Sequence, residues 1–455
     1  MLESAPMSRS VICFGAFILA LFVPQKDGRQ APEQVVGAPT QYVIAPWAAT
    51  DLYSTDPTHP WNRLFRLFYV RATPNGHLYG GDELDPYLWQ QTSYLLQGPS
   101  HDEAVKLLNG FLQTHAEQLI TDPLRRTLMQ RDLWAVYDWV VMRKQDHPEA
   151  ALKLLKPLGE IIRRLALTQD QIQALPDNYQ TAVRAKDFPS NADAAHREAA
   201  FLPDLFNPDG PWVCVGQQKE RPVAPVHLEF FQGRSVFLVF LRLPGGRNET
   251  LAYLQQLRKV PSQWAPYPGS APDSPARVRS PQAQQFPVGT SVALVRQMVL
   301  MSEQGEFVPT HLTESVQLRV YRAIDPDPRR NYINSERFRA QQDVFEFRLD
   351  RRKLLAGERS LRAVDASEKE FPTFMTHGLD DFESHTPPQD APIFRCQGCH
   401  YDPGVQSFIS HSRAHFRPLP DPPPDLLEST PEQEAARDAK WRPGHPELNT
   451  ELAKR

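Results

Sequence analysis

Residues 291–323 read SVALVRQMVLMSEQGEFVPTHLTESVQLRVYRA, and their pattern decides the fold class. Ser291–Met301 and Ser315–Arg322 are valine-rich and β-branched, and the SEQGEFVPTH between them carries glycine, proline and charge. Two such runs around a turn-prone stretch predict an antiparallel pair of strands. Working outward, VHLEFFQ (226–232), SVFLVFLRLP (235–244) and DVFEFRLD (343–350) share this character. Residues 206–352 are therefore expected to form a mostly antiparallel, β-rich region. A short helix is expected at Thr250–Lys259, and the Pro/Ser-rich segment 261–285 should be a long surface loop.

Upstream the period changes from two to 3.6. Ala104, Leu107, Leu108, Phe111 and Leu112 mark one buried helix face, with Ser100 and Glu103 as the expected capping box. Asp122 followed by Pro123 announces a second helix carrying Leu124, Leu128, Leu133, Trp134, Tyr137 and Val141. Two more are expected at Glu149–Leu165, kinked at Pro157, and at Thr168–Leu175, capped by Thr168 and Gln171. Ahead of them Leu64, Phe65, Leu67, Phe68 and Val70 should enter a core. These elements define a helical region at 41–205. The fold class is α+β and multidomain: an N-terminal helical region, a central β-rich region, and a small C-terminal haem- or metal-binding lobe at 353–417. Residues 418–455, rich in proline and charge, are expected to be a mobile tail or a surface strap.

Forty-four prolines among 455 residues is near twice the usual share of about 5%, which favours stiff connections over long elements. The formal charge of -4 leaves no basic footprint, so nucleic acid is not an expected partner. Near the N-terminus Arg9 precedes an apolar run, Val11–Val23, and polar sequence follows. A basic flank, a short apolar stretch and a polar exit form the layout of a secretory signal. Thirteen residues fall short of the ~20 that a membrane-spanning helix needs. Residues 1–23 are expected to be a signal peptide or an uncleaved anchor, 24–40 a flexible leader, and the protein periplasmic or extracellular. Any membrane association would run through that N-terminal segment.

Export sharpens the reading of the four cysteines. With Cys13 removed, Cys214, Cys396 and Cys399 remain, an odd number in an oxidising compartment. Cys396-Gln397-Gly398-Cys399-His400 resembles the haem-attachment site of c-type cytochromes. The resemblance covers these five residues. It implies that Cys396 and Cys399 form thioethers to haem c and that His400 ligates the iron. A single-haem electron-transfer or redox protein with a redox partner follows as the expectation. No methionine follows Met375, so the second axial ligand is expected among His411 and His415 downstream or His377, His385 and Met375 upstream.

Two alternatives stay open. Cys396, Cys399, His411 and His415 stand as C-x2-C-x11-H-x3-H, a donor set that suits tetrahedral zinc. Cys396 and Cys399 could also form a disulfide. Either would make the chain a binding or scaffold protein with a C-terminal staple. Elsewhere the signals are ordinary. Gly245-Gly246 in LPGGRNET lacks the lysine of a phosphate-binding loop and reads as a turn. His59 reads as a hydrogen-bonded turn residue, and Asp380, Asp381 and Glu383 as a solvated loop. Whether the chain is an enzyme is left open by the sequence.

Overall fold

The stretch 291–323 forms the expected hairpin, with a tighter turn. A computed structural model describes residues 51–72, 78–80, 95–185, 202–218, 222–261, 264–266, 269, 271, 277–324, 341–364, 369–370, 389–390, 400, 404–409 and 426–441. Strand β3 (Ser291–Met301) and strand β4 (Phe307–Tyr321) pair antiparallel, with Val295 opposite Val316 and Ala293 opposite Leu318. The turn shrinks to Ser302–Glu306 because Gly305 takes φ +79° and Ser302 N–H bonds Glu306 O at 2.8 Å. Pro309, which cannot donate to a ladder, falls where the register slips between Gln297 and Val299.

Around this hairpin lie β1 (Val213–Gln217), β2 (Ser235–Arg242), β5 (Gln342–Leu349), β6 (Leu361–Ala363) and β7 (Leu426–Glu428). Their order is β6-β5-β4-β3-β2-β1-β7, every neighbouring pair antiparallel. Strands β1 to β6 form a meander, and the C-terminal β7 adds to the free side of β1. Alternation divides β2 cleanly. Val236, Leu238 and Phe240 enter the main core, whereas Phe237 and Val239 serve a small cluster on the opposite face and Leu241 another.

The helices are α1 (Pro60–Tyr69), α2 (Gly98–Gln113), α3 (Pro123–Met142), α4 (Pro148–Arg164), α5 (Gln169–Gln173) and α6 (Asn178–Ala185). Helix α3 is buried on every side from Thr127 to Val140. Trp134 stacks on Phe307 of β4, ring centres 5.3 Å apart, and the Gln130 side chain bonds Met301 N–H and O at 3.2 and 2.9 Å. The helical region and the β region thus share one core, and Tyr42–Arg455 is a single compact unit across the boundary expected near 205. Asp122 Oδ1 accepts the Arg125 N–H at 2.7 Å as the sequence implies. Asp122→Ala is expected to cost about 1 kcal/mol by removing this cap, and Asp122→Ser to recover most of it, read from denaturant midpoints.

Three expectations are corrected. Helix α2 begins at Gly98 with no side-chain cap: Pro99 starts the helix, so Ser100 already lies inside it and donates to Gln97 O. VHLEFFQ is not a strand. Helix α7 (Pro225–Phe230) begins with Pro225 in its first turn and ends where Gln232 and Gly233 turn left-handed, at φ +52° and +71°. Finally, the segment expected to be a tail or strap contributes β7 and helix α11 (Pro431–Lys440). Leu426 pairs with Gln217 and Leu427 with Gly216, and Thr430 with Gln433 forms a capping box. Gly216 makes this approach possible, since a Cβ there would lie 2.6 Å from Ser429 Cβ. Ala435 and Ala439 join the main core. Three more helices lie among the described residues: α8 (Arg247–Arg258), and α9 (Arg351–Leu355) with α10 (Val405–Ile409) nearer the C-terminus.

Candidate functional site

The site is assembled on the face of β2 that carries Phe237 and Val239. Leu294 of β3, opposite Val239 in register, extends this face. Helix α7 lays Ala224 and Leu228 over it, and Val223, Phe231, Phe408 and Trp441 pack half-buried around them. The result is an aromatic-rich apolar wall. His227, from the first turn of α7, stands against it with its ring centre 5.3 Å from that of Phe237.

His400 stacks beside His227. Its main-chain O accepts the Gln342 Nε2 amide at 2.9 Å, and its Nδ1 lies 3.1 Å from Ser407 O. A carbonyl only accepts, so Nδ1 carries a proton and donates it to Ser407 O. Ser407 is fixed in turn, its hydroxyl bonded to Arg319 Nη1 at 2.7 Å and to Tyr321 OH at 3.0 Å. Its helix, α10, follows Gly404 at φ +55° and is anchored where Gln285 Oε1 accepts Val405 N–H at 2.8 Å. The two imidazoles face each other as a pair: ring centres 6.1 Å apart, planes within 8° of parallel.

The wall is tied to a buried charge cluster. The Arg296 guanidinium lies 3.8 Å over the Phe231 ring and pairs with Glu314 at 2.7 Å, while Glu314 also pairs with Arg131 of α3 at 2.9 Å. A cation over an aromatic face is favourable, and the carboxylate balances the burial of both guanidinium groups.

Of the residues singled out in the sequence, His400 is the one placed here. Cys13, Met375, His377, His385, Cys396, Cys399, His411 and His415, with Asp380, Asp381 and Glu383, lie outside the described residues. Cys214 is buried, and burial, reinforced by Glu434, pushes its thiol well above its ordinary range. It is no candidate nucleophile or ligand. His59 accepts the Trp61 N–H at 3.3 Å, a turn residue as expected. Gly245 N–H is taken by the Glu249 carboxylate of the same turn, so the anion position of LPGGRNET is filled internally.

Sequence reasoning passed over His227 because V-H-L-E-F alternates like a strand. Pro225 at a helix start and Gly233 just past its end were the signal for α7. Among the described residues no three His, Cys, Asp or Glu side chains gather as a metal cluster, and no helix is long and apolar enough to cross a membrane. No known protein family, curated protein or solved structure matches the chain.

Proposed function

We propose that this is an exported, c-type cytochrome-like protein that carries one haem on Cys396 and Cys399 and serves in electron transfer or a related redox role. The observation that carries the reading is His400. It closes the C-x-x-C-H motif, and its ring is oriented by the contact of Nδ1 with Ser407 O. The donor set fits: two thiols two residues apart, an adjacent oriented imidazole, and an apolar wall beside it. Bound haem supplies a one-electron iron couple whose potential follows its axial ligands and surroundings.

The chain's own residues have defined tasks in this reading. Ser407 orients His400 and strengthens it as a donor, and Arg319 and Tyr321 hold Ser407. Phe237, Phe408 and Trp441 limit water at the site. The segment carrying Cys396–His400 holds the haem, and the electron is exchanged with a redox partner protein outside the cytoplasm.

The test is mass spectrometry of the peptide containing Cys396, from protein exported by a host with cytochrome c maturation machinery. The expected result is that peptide with the haem mass added. An unmodified peptide whose two thiols both react with an alkylating agent would remove the proposal. One zinc per chain by elemental analysis, lost in a His411→Ala variant, would replace it with the zinc-stapled scaffold of Cys396, Cys399, His411 and His415.

A further inference from the structure

We infer that Arg319 and Gln342 form a binding site for a small 2-hydroxycarboxylate, a site that stands apart from the haem reading and uses none of the cysteines. Among the described residues five arginines are buried. Four of them meet a carboxylate: Arg131 and Arg296 share Glu314, Arg234 pairs with Asp138, and Arg351 with Asp132. Arg319, 8% exposed, is the fifth and has no carboxylate partner among the described residues. Its Nη1 donates to the Ser407 hydroxyl at 2.7 Å and lies 3.3 Å from Tyr321 OH. The rest of its fork of N–H donors has no partner among the described residues. Hydroxyls do not neutralise a buried cation, and burying one unpaired is costly. The position therefore calls for an anion, and a carboxylate matches the guanidinium fork in shape and charge.

A second observation points to the same place. In the β4–β5 ladder Gln342 stands opposite Tyr321, so Arg319 and Gln342 lie on one face of the sheet as diagonal neighbours. Gln342 is 5% exposed, its Nε2 donates to His400 O, and its Oε1 is buried with no donor. A carboxylate alone cannot serve that oxygen, because both groups only accept. A hydroxyl on the carbon next to the carboxylate can donate to Gln342 while Arg319 holds the carboxylate. Diagonal neighbours have their Cα atoms about 7–8 Å apart, a separation that two side chains reaching toward a two-carbon acid can span. Val292 and Val344, opposite Arg319 on its two sides, bring no competing charge. Phe286, its ring centre 5.7 Å from that of Tyr321, keeps the surroundings apolar, which strengthens an ionic contact.

The experiment is titration of the full chain with sodium glycolate at constant ionic strength, followed by calorimetry and by Tm, with acetate and chloride as comparison anions. Glycolate should bind at one site per chain, acetate about tenfold more weakly, and chloride without saturation. Arg319→Met should weaken glycolate binding about tenfold or more, since a hydrogen bond to a charged group is lost. Arg319→Lys keeps the charge without the fork and serves should methionine fail to fold; its affinity should fall between methionine and wild type. Gln342→Leu should bring glycolate down to the affinity of acetate. Three results overturn the proposal: glycolate giving neither a saturable heat nor a rise in Tm, Arg319→Met or Arg319→Lys binding it as tightly as wild type, or acetate matching glycolate on the wild-type protein. In the first case Arg319 serves only to tether α10 through Ser407.

Discussion

Replacing Glu314 with alanine is expected to destabilise the protein by about 3–5 kcal/mol, the range seen when one partner of a buried ion pair is removed. Its carboxylate is fully buried between two cations, Arg131 Nε at 2.9 Å and Arg296 Nε at 2.7 Å, and also accepts from the Ser235 hydroxyl. Arg131 is itself fully buried, so neither guanidinium can turn to water. Alanine leaves two buried positive charges that share the Ser235 hydroxyl without the carboxylate that balances them. Glu314→Gln keeps the shape but not the charge, and should fall between alanine and wild type. Exchanging the whole cluster, Arg131→Met, Arg296→Met and Glu314→Leu together, should recover most of the loss, because the desolvation of three ions is removed along with their attraction. Denaturant midpoints of the purified variants measure all three. An alanine variant within 1 kcal/mol of wild type would show that water reaches the cluster and that its burial is not sustained in solution.

The cluster also explains how α3 tolerates charges while buried on every side. Arg131, Asp132 and Asp138 each meet a partner from another element: Glu314, Arg351 and Arg234 respectively. No property of the sequence near Asp122–Met142 identifies those partners, which lie 96 to 219 residues away. What was legible there was local. Asp122-Pro123 marks the helix start, and Trp134 reads as core, which the structure bears out at 1% exposure. The same division holds elsewhere. The hairpin at 291–323 and the capping box of Thr168 with Gln171 depend on neighbours in sequence and could be read directly.

Elements that depend on distant contacts could not. Leu426–Glu428 is a strand because β1 offers an edge and Gly216 leaves room for Ser429 and Glu434. In sequence it is three residues inside a proline-rich segment. Pattern misled at α7: V-H-L-E-F has the period of a strand, yet Pro225 and Gly233 bracket a helix. That misreading hid His227. The half of the site carried by a motif was visible as five consecutive residues, and the half carried by the fold was not.

The second large effect concerns the helix that covers this site. Asp438 of α11 is buried with its Oδ2 accepting the Phe237 N–H at 2.8 Å, just beyond the last β1–β2 pair, Val215 with Val239. Burial pushes its carboxyl up to about 8; the Phe237 N–H opposes the shift, Glu434 adds to it and Arg437 opposes it. In the unfolded chain the group titrates near 4. Between those values the folded protein holds a proton that the unfolded chain has released, so raising the pH favours unfolding. The contribution is fully present below about pH 4 and is lost as pH rises through 8. The slope can reach about 1.4 kcal/mol per pH unit, an upper bound of roughly 5 kcal/mol across the window, with water entering the site reducing it. Asp438→Asn can still accept from Phe237 N–H but cannot titrate. Its stability should match wild type near pH 4, exceed it near pH 8, and show a correspondingly flatter profile between. Because the Phe237 ring packs on His227, wild-type protein should also lose the native fluorescence of Trp441 and the order of the His227 wall together as the pH rises. If Asp438→Asn retains the wild-type slope from pH 4 to 8, the proton is held elsewhere and Asp438 is ionised in the folded protein.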